Sequence, residues 1–307
     1  MKPSIVVVGS TNTDMVIRAA HIPEPGETIL GGSFFMFQGG KGANQAVAAK
    51  RLGGDVTFIA KTGNDIFGER SVQLFREEGI HTGHMVTDPA NPSGVALITV
   101  DANAENCIVV ASGANATLSP GDIEPATDLI KHAGIVLMQL EIPLDTVSFV
   151  ASVAAANGCI VILNPAPACE LDDALLQNIS IITPNKKEAE MLSGIKIAGI
   201  ESTVAAAHAI RDKGMATVII TLGPEGAFIS NADIEVFVPA PVVKAVDTTA
   251  AGDVFNGALA VALSEGRSLT DAVIFGCKAA AVSVTRLGAQ SAAPFRHEVE
   301  PNSFEPS

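Results

Sequence analysis

Val246-Asp247-Thr248-Thr249-Ala250-Ala251-Gly252-Asp253-Val254-Phe255-Asn256 joins two contrasting segments. Before it, the apolar stretch from Phe237 to Val243 is broken by Pro239 and Pro241. After it, the run from Phe255 to Leu263 is rich in Ala, Leu and Val and reads as a buried helix. The small residues at 250–252 therefore stand where a helix begins, with Asp253 in its first turn. A helix start offers unpaired amide groups and the positive end of the helix dipole, a cradle for phosphate. Ala and Gly let a ligand come close to that backbone. An acid beside such a cradle repels the anion it would bind, and makes chemical sense where the carboxylate takes a proton from a hydroxyl attacking the phosphate. The alternative is that Asp247 or Asp253 merely caps the helix, and the stretch alone leaves both readings open.

Working outward, short apolar strands alternate with helices and end in polar or Gly/Pro-rich residues. Ser4 to Gly9 is a buried strand followed by Ser10-Thr11-Asn12-Thr13-Asp14. Asn12 and Asp14 there either grip vicinal hydroxyls or form a turn. Gln38-Gly39-Gly40-Lys41-Gly42-Ala43-Asn44-Gln45-Ala46 opens a helix expected to run to about Leu52 and to stop at Gly53-Gly54. It is not a Walker A loop, because Gly42 follows the Lys where Ser or Thr should stand. Its glycines, with Lys41 and Asn44, either approach a small ligand or simply start a helix. Farther on, Gly134 to Leu140 delivers Glu141, and Cys159 to Leu163 delivers Asn164-Pro165-Ala166-Pro167. Ser180 to Thr183 delivers Asn185 and Glu188, and Thr217 to Leu222 delivers Gly223-Pro224-Glu225-Gly226. Asn185 and Glu188 share a helix face and either hold water around Mg²⁺ or answer the helix dipole. The pattern predicts a doubly wound α/β fold with a mostly parallel central sheet flanked by helices, and an active-site rim at the strand ends.

Two stretches break the rhythm. About 15–37 has strand composition at Met15–Ile17 and Thr28–Phe37, and about 91–113 has it at Gly94–Val100 and Asn106–Ala111, with no helix between the strands. They are expected to pair as a small β-sheet lid on a single domain spanning 1–307, with Phe34, Phe35 and Phe37 lining the lid or a subunit contact.

The totals narrow the function. With 307 residues and 48% hydrophobic content but no Trp or Tyr, the core must be aliphatic and alanine-rich. A formal charge of −14 argues against nucleic acid or anionic membrane as partner, while leaving room for a nucleotide. No apolar run has the length of a membrane span and no signal peptide is apparent. The four scattered cysteines fit a reduced, cytoplasmic protein. No His/Cys cluster has zinc spacing, and the tail after about Val299 is expected to fray.

These segments together resemble the ribokinase branch of the PfkB carbohydrate kinase family, over nearly the whole chain. The resemblance rests on Gly39-Gly40-Lys41-Gly42-Ala43-Asn44, on Asp247 to Asp253, and on Asn185-x-x-Glu188 between them. It implies an ATP-dependent kinase that phosphorylates D-ribose at O5. Asp253 would be the base, and the amides of Ala250, Ala251, Gly252 and Asp253 the anion hole. Asn12, Asp14, Gly40, Lys41, Asn44 and Glu141 would hold the pentose. Asn185, Glu188, Thr221, Leu222, Gly223, Gly226, Gly252 and Cys277 would serve ATP, with Glu188 reaching Mg²⁺ through water. A monovalent cation, expected to be K⁺, would sit by Asp247, Thr249, Ser283, Arg286, Gly288 and Ala292, and two lids would join in a homodimer. The chain departs from relatives in carrying Ala250 for the first Gly of the late motif, Ser291-Ala292 where many have Ser just past Ala-Gln, and Cys277 where some have His. Competing readings are a kinase for deoxyribose, fructose or adenosine, or a non-catalytic sugar-binding regulator. A nicotinamide dehydrogenase is disfavoured, since no G-x-G-x-x-G follows the first strand.

Overall fold

Ile5–Val8 is apolar at every position and wholly buried, as a strand covered on both faces must be. It is β1 of a computed structural model that describes residues 4–103 and 105–300. In chain order there follow β2 (Asn12–Arg18), β3 (Ser33–Gly39), β4 (Val56–Ile59), β5 (Lys61–Gly63), β6 (Val86–Asp88), β7 (Gly94–Val100) and β8 (Asn106–Ala111). The remaining strands are β9 (Ile135–Met138), β10 (Ile160–Leu163), β11 (Ile181–Ile182), β12 (Thr217–Thr221), β13 (Ala227–Ser230) and β14 (Glu235–Val238).

Eight strands form the central sheet in the order β14-β13-β12-β11-β10-β9-β1-β4. It is parallel from β12 to β4, with β13 and β14 added antiparallel at one edge. Alternation along β1 divides the core. Ile5 and Val7 face a cluster shared with helices Lys41–Arg51, Ala251–Ser264 and Leu269–Ser283. Val6 and Val8 face a cluster shared with helices Leu144–Ala156, Lys186–Ser193 and Ile200–Arg211. The expected doubly wound architecture is present, and alanines do much of the filling.

The two helix-free stretches form one four-stranded sheet, β3-β2-β7-β8, in which β2 and β7 pair in parallel from Asn12↔Gly94 to Arg18↔Val100. Thr28–Gly32, expected in a strand, lie outside one: the strand starts at Ser33, past a loop whose Pro23 and Pro25 cannot donate to a ladder. Asn12 and Asp14 are not in a turn. They are the first and third residues of β2, and so lie on one face of the small sheet. Val299 is buried in a last short turn of helix, and the fraying expected beyond it falls on 301–307, outside the described residues.

Candidate active site

The carboxyl ends of β1, β9, β10 and β11 bring Ser10, Glu141, Asn164 and Asn185 to one rim of the central sheet, and Thr221 at the end of β12 bridges to Asn185. Two helices close on that rim. Gly257 makes their contact possible, because a Cβ there would lie 2.8 Å from the Gln45 carbonyl oxygen and 2.9 Å from the Ala48 Cβ. This crossing sets Asn44 and Gln45, the fourth and fifth residues of one helix, against Asp253 on the first turn of the other.

Asp253 is buried and both its oxygens are held by side-chain amides. Asn44 Nδ2 donates to Oδ2 at 2.9 Å and Gln45 Nε2 donates to Oδ1 at 3.0 Å. Burial pushes its carboxyl above the usual carboxylate range, against the pull of the Lys41 ammonium and of the two amide donors. For Lys41, burial would lower the pKa, but the charges of Asp253, Glu141 and Glu188 outweigh it and hold the ammonium above its ordinary value. One lysine thus balances three carboxylates. Glu141 accepts from the Ser10 hydroxyl and, at 3.0 Å, from the Lys41 amide.

Beside Asp253 the helix start is open. Ala250 adopts a left-handed conformation at φ 59°, ψ 12°, which turns the chain into the helix. The Ala251 amide donates to the Thr248 carbonyl at 3.3 Å, whereas the amides of Gly252 and Asp253 have no acceptor among the described residues. A Cβ added at Gly252 would meet nothing within 4 Å. The early glycines differ. A Cβ at Gly42 would lie 2.7 Å from the Gly9 backbone, and one at Gly40, whose φ is 88°, would lie 2.7 Å from the Thr11 Cα. Crowding at 40 and 42 comes from the chain's own crossing, while the space at Gly252 is free for a ligand.

The small sheet supplies the opposite wall. Burial, and then the charge of Glu141, push the Asp14 carboxyl up to about 6. Gly39 leaves the space that Asp14 fills, since a Cβ there would be 2.2 Å from Asp14 Oδ2. Asn12 is braced by Asn115, whose Nδ2 donates to Asn12 Oδ1 at 2.8 Å and to the Thr11 carbonyl at 3.0 Å.

Asn185 and Glu188 form a reciprocal capping box: Asn185 Oδ1 accepts from the Glu188 amide at 2.9 Å, and Glu188 Oε2 accepts from the Asn185 amide at 2.8 Å. Asn185 Nδ2 occupies Oε1 as well. Glu188 is nonetheless buried, and burial raises its carboxyl despite the Asn185 amide and Lys41. Thr221 to Gly226 turn next to Asn185, with the Thr221 amide donating to the Pro184 carbonyl at 2.9 Å. Gly226 is structural, as a Cβ there would be 2.0 Å from the Val238 carbonyl oxygen. Cys277 lies inside the core, where burial pushes its thiol to about 11.

Asp247 is stitched to the segment just past helix Leu269–Ser283. Its Oδ1 accepts from the Thr249 amide and hydroxyl at 2.9 and 2.6 Å, and its Oδ2 from the Gly288 amide at 2.9 Å. Burial works against these donors, but they and Arg18 hold its carboxyl below the usual range. The Val284 carbonyl accepts from the Val246 and Asp247 amides, so Ser283, Arg286 and Gly288 are gathered around this loop. The Arg286 guanidinium itself pairs with Glu298. Ala292 is buried and contributes only its backbone.

An oxygen-only set of carbonyls and a carboxylate is of the kind that suits a hard cation. Among the described residues no group of three or more His, Cys, Asp or Glu could hold a metal ion by itself. Magnesium, which keeps its waters and takes few protein ligands, fits only as a companion of ATP phosphates, with Glu188 as the nearby carboxylate.

The sequence reading passed over Gln45, Gln139 and Asn115. Their signal was a polar residue in an otherwise apolar strand end or helix face, which here marks buried hydrogen bonding rather than exposure.

Comparison with known proteins supports one assignment. Residues 2–296 match the model of the pfkB family carbohydrate kinases. Over 298 residues the chain is 47% identical to the ribokinase of Haemophilus influenzae, covering 97% of each. It is also 39% identical over 291 residues to a deoxyribokinase of Salmonella typhi, covering 94% of this chain and 95% of that one. The structure of Arabidopsis thaliana ribokinase complexed with ribose and ATP superposes with a TM-score of 0.94 at 31% identity, covering 98% of both chains.

Proposed function

This chain belongs to the pfkB family of carbohydrate kinases, and from that premise we propose that it transfers the terminal phosphoryl group of ATP to O5 of D-ribose, giving D-ribose 5-phosphate and ADP. The observation that carries the mechanism is the buried Asp253 carboxylate held beside two unpaired helix-start amides. The ribose O5 attacks the γ-phosphorus in line as Asp253 takes its proton, and the bond to the β-phosphate oxygen breaks on the far side. Negative charge on the transferred group is met by the Gly252 and Asp253 amides, with Ala250 and Ala251 shaping the turn. Lys41 works against burial and so favours the ionised form of Asp253 that can accept the proton.

Asp14 and Asn12 grip the ring hydroxyls, with Gly40, Lys41, Asn44 and Glu141 completing the pentose site. The buried Asn44 Oδ1, which has no partner among the described residues, is an acceptor that a sugar hydroxyl can satisfy. Thr221, Leu222, Gly223 and Gly226 line the nucleotide side, and Cys277 supports it only from within the core. Mg²⁺ would supply charge neutralisation on the β- and γ-phosphates, addressed by Asn185 and Glu188 through water. A monovalent cation, K⁺, would be held by Asp247, the Thr249 backbone and the carbonyls of Ser283, Arg286, Gly288 and Ala292, stiffening the anion hole. Ala292 brings no hydroxyl, and the neighbouring Ser291 Oγ is bonded to the Leu287 carbonyl at 3.1 Å, so this cation relies on one fewer side-chain oxygen.

The small sheet acts as a lid that excludes water. Strand alternation puts Asp14, Phe35, Phe37, Ile98 and Val110 on the cleft side, and Ile17, Phe34, Met36, Leu97 and Val109 on the other. The outer residues are all exposed, an apolar face that supports pairing of two lids in a homodimer. The use of ATP supports a cytoplasmic location.

The second reading is deoxyribose as the substrate, favoured by the similarity to a deoxyribokinase. An ATP-coupled assay over ribose, deoxyribose, fructose and adenosine, with and without K⁺, separates them. Ribose should give the highest kcat/KM, and K⁺ should raise it; equal or better turnover of deoxyribose would overturn the assignment of the sugar.

A further inference from the structure

A row of buried amides runs beneath the cleft, and its polarity is set by Asp253. An ionised carboxylate only accepts, so both side chains that touch it must present N–H groups. Gln45 Nε2 therefore faces Asp253 at 3.0 Å and shares its protons with Asn164 Oδ1 at 3.2 Å. That leaves Gln45 Oε1 to accept, and Gln139 Nε2 donates to it at 2.6 Å. The row continues from Asn164 Nδ2 to the Thr183 carbonyl, from the Thr183 hydroxyl to Asn256 Oδ1, and from Asn256 Nδ2 to the Gly252 carbonyl at 2.8 Å. One donor direction thus runs from Gln139 to the backbone of the helix start, with no reversal. Gln139 Oε1 lies against Gly9, where an added Cβ would be 2.1 Å away, and it has no partner among the described residues.

Gln45 is fully buried behind Asp253, and each of its polar atoms is engaged within this row. Asn44, by contrast, keeps a free acceptor for a ligand. We propose that Gln45 is a positioning residue for phosphoryl transfer: its amide, oriented by Gln139, clamps the Asp253 carboxylate where it meets the alcohol proton. The proposal rests on the reading of Asp253 as the base. It explains why a helix packed with alanines buries a glutamine as its fifth residue, and why a second one directly follows β9. The charged groups facing Asp253 are Lys41, Glu141 and Glu188, and none of the side-chain bonds of Gln45 or Gln139 goes to them.

The test is the pH dependence of kcat in wild type, Gln45→Met and Gln139→Met, together with ribose affinity by calorimetry and thermal melting. The kcat profile is chosen because bound ribose already engages Asp14 in that state. Met fills the space of Gln without donating. Losing a hydrogen bond to a charged group should lower kcat by about 10- to 100-fold in Gln45→Met and move its acid limb up by about one pH unit. The ribose dissociation constant should stay within about 3-fold, because Gln45 does not reach the sugar. Gln139→Met, which leaves the buried Gln45 Oε1 without its donor, should move both readouts the same way but less. An acid limb that stays put in both variants overturns the proposal, whether kcat is retained or falls only with the folded fraction. If Gln45→Met fails to fold, Gln139→Met decides by the same readouts. A wild type that does not turn over ribose removes the functional reading and this inference with it, whereas normal wild-type turnover with an unmoved limb removes this inference alone.

Discussion

Asp247 and Asp253 stand on the two sides of one helix start, yet their surroundings drive them apart. Asp247 is half-buried and held by backbone amides and a hydroxyl, which keep its carboxyl below the usual range. Asp253 is buried, held by two side-chain amides, and pushed above it. Backbone donors fix a permanent anion, suited to a cation that stays. Side-chain amides and a lysine opposing desolvation keep an anion that can still take a proton. In the function proposed above, the difference between a cation ligand at Asp247 and a base at Asp253 is made by neighbours, not by residue type.

Removing Lys41 should disturb this contrast most. Lys41→Met leaves Asp253, Glu141 and Glu188 without their shared cation, and kcat/KM should fall by about 10²- to 10³-fold with an acid limb displaced to higher pH. A loss confined to KM would mean that Lys41 serves the sugar alone.

Asp14→Asn comes next and extends the comparison to the opposite wall. Its KM for ribose should rise about 10- to 100-fold, with a smaller change for deoxyribose. The sign for stability is the reverse. A carboxyl whose pKa is about 6 in the folded chain, against an ordinary 3.8, penalises folding above that value and ceases to do so as pH falls toward 3.8. The variant should therefore melt higher than wild type at pH 7.5, with the gap closing near pH 4. A gap that widens on acidification would contradict the burial of Asp14.

Much of this was legible in the chain. Apolar strands ending in polar residues mark the central sheet and its rim, because a buried parallel strand leaves no other place for ligand-facing groups. Asp253 stood out because small residues and an acid meet at a helix start. Gly40 and Gly42, however, are demanded by backbone crossings with Thr11 and Gly9, a contact between segments that one stretch of sequence does not display. β5 and β6 have three residues each, too few to carry an alternation, and β13 is buried at all of its positions, so it shows none. Asn185 and Glu188 looked like two ligands or a cap. The cap is formed, and both oxygens of Glu188 are used in it. Gln45 and Gln139 act through each other, which only three dimensions reveal.

Two smaller changes sharpen the account on the Asp247 side. Asp247→Asn should lower kcat by about 10-fold and abolish the response to K⁺, while the kcat acid limb of Asp253 stays in place. A shift of that limb would mean the two carboxylates are not independent. Ala250→Gly should raise the melting temperature by about 2 °C, since Ala250 pays the left-handed cost of about 1 kcal/mol that glycine avoids. A lower melting temperature would mean that the alanine methyl packs favourably enough to outweigh it.

The most direct measurement compares Asp253→Asn with wild type for turnover and for ribose binding in the same preparation. If Asp253 takes the proton from O5, kcat falls by at least about 10²- to 10⁴-fold while calorimetric ribose affinity stays within a few-fold. Turnover close to wild type, or an equal loss of binding and turnover, would contradict it.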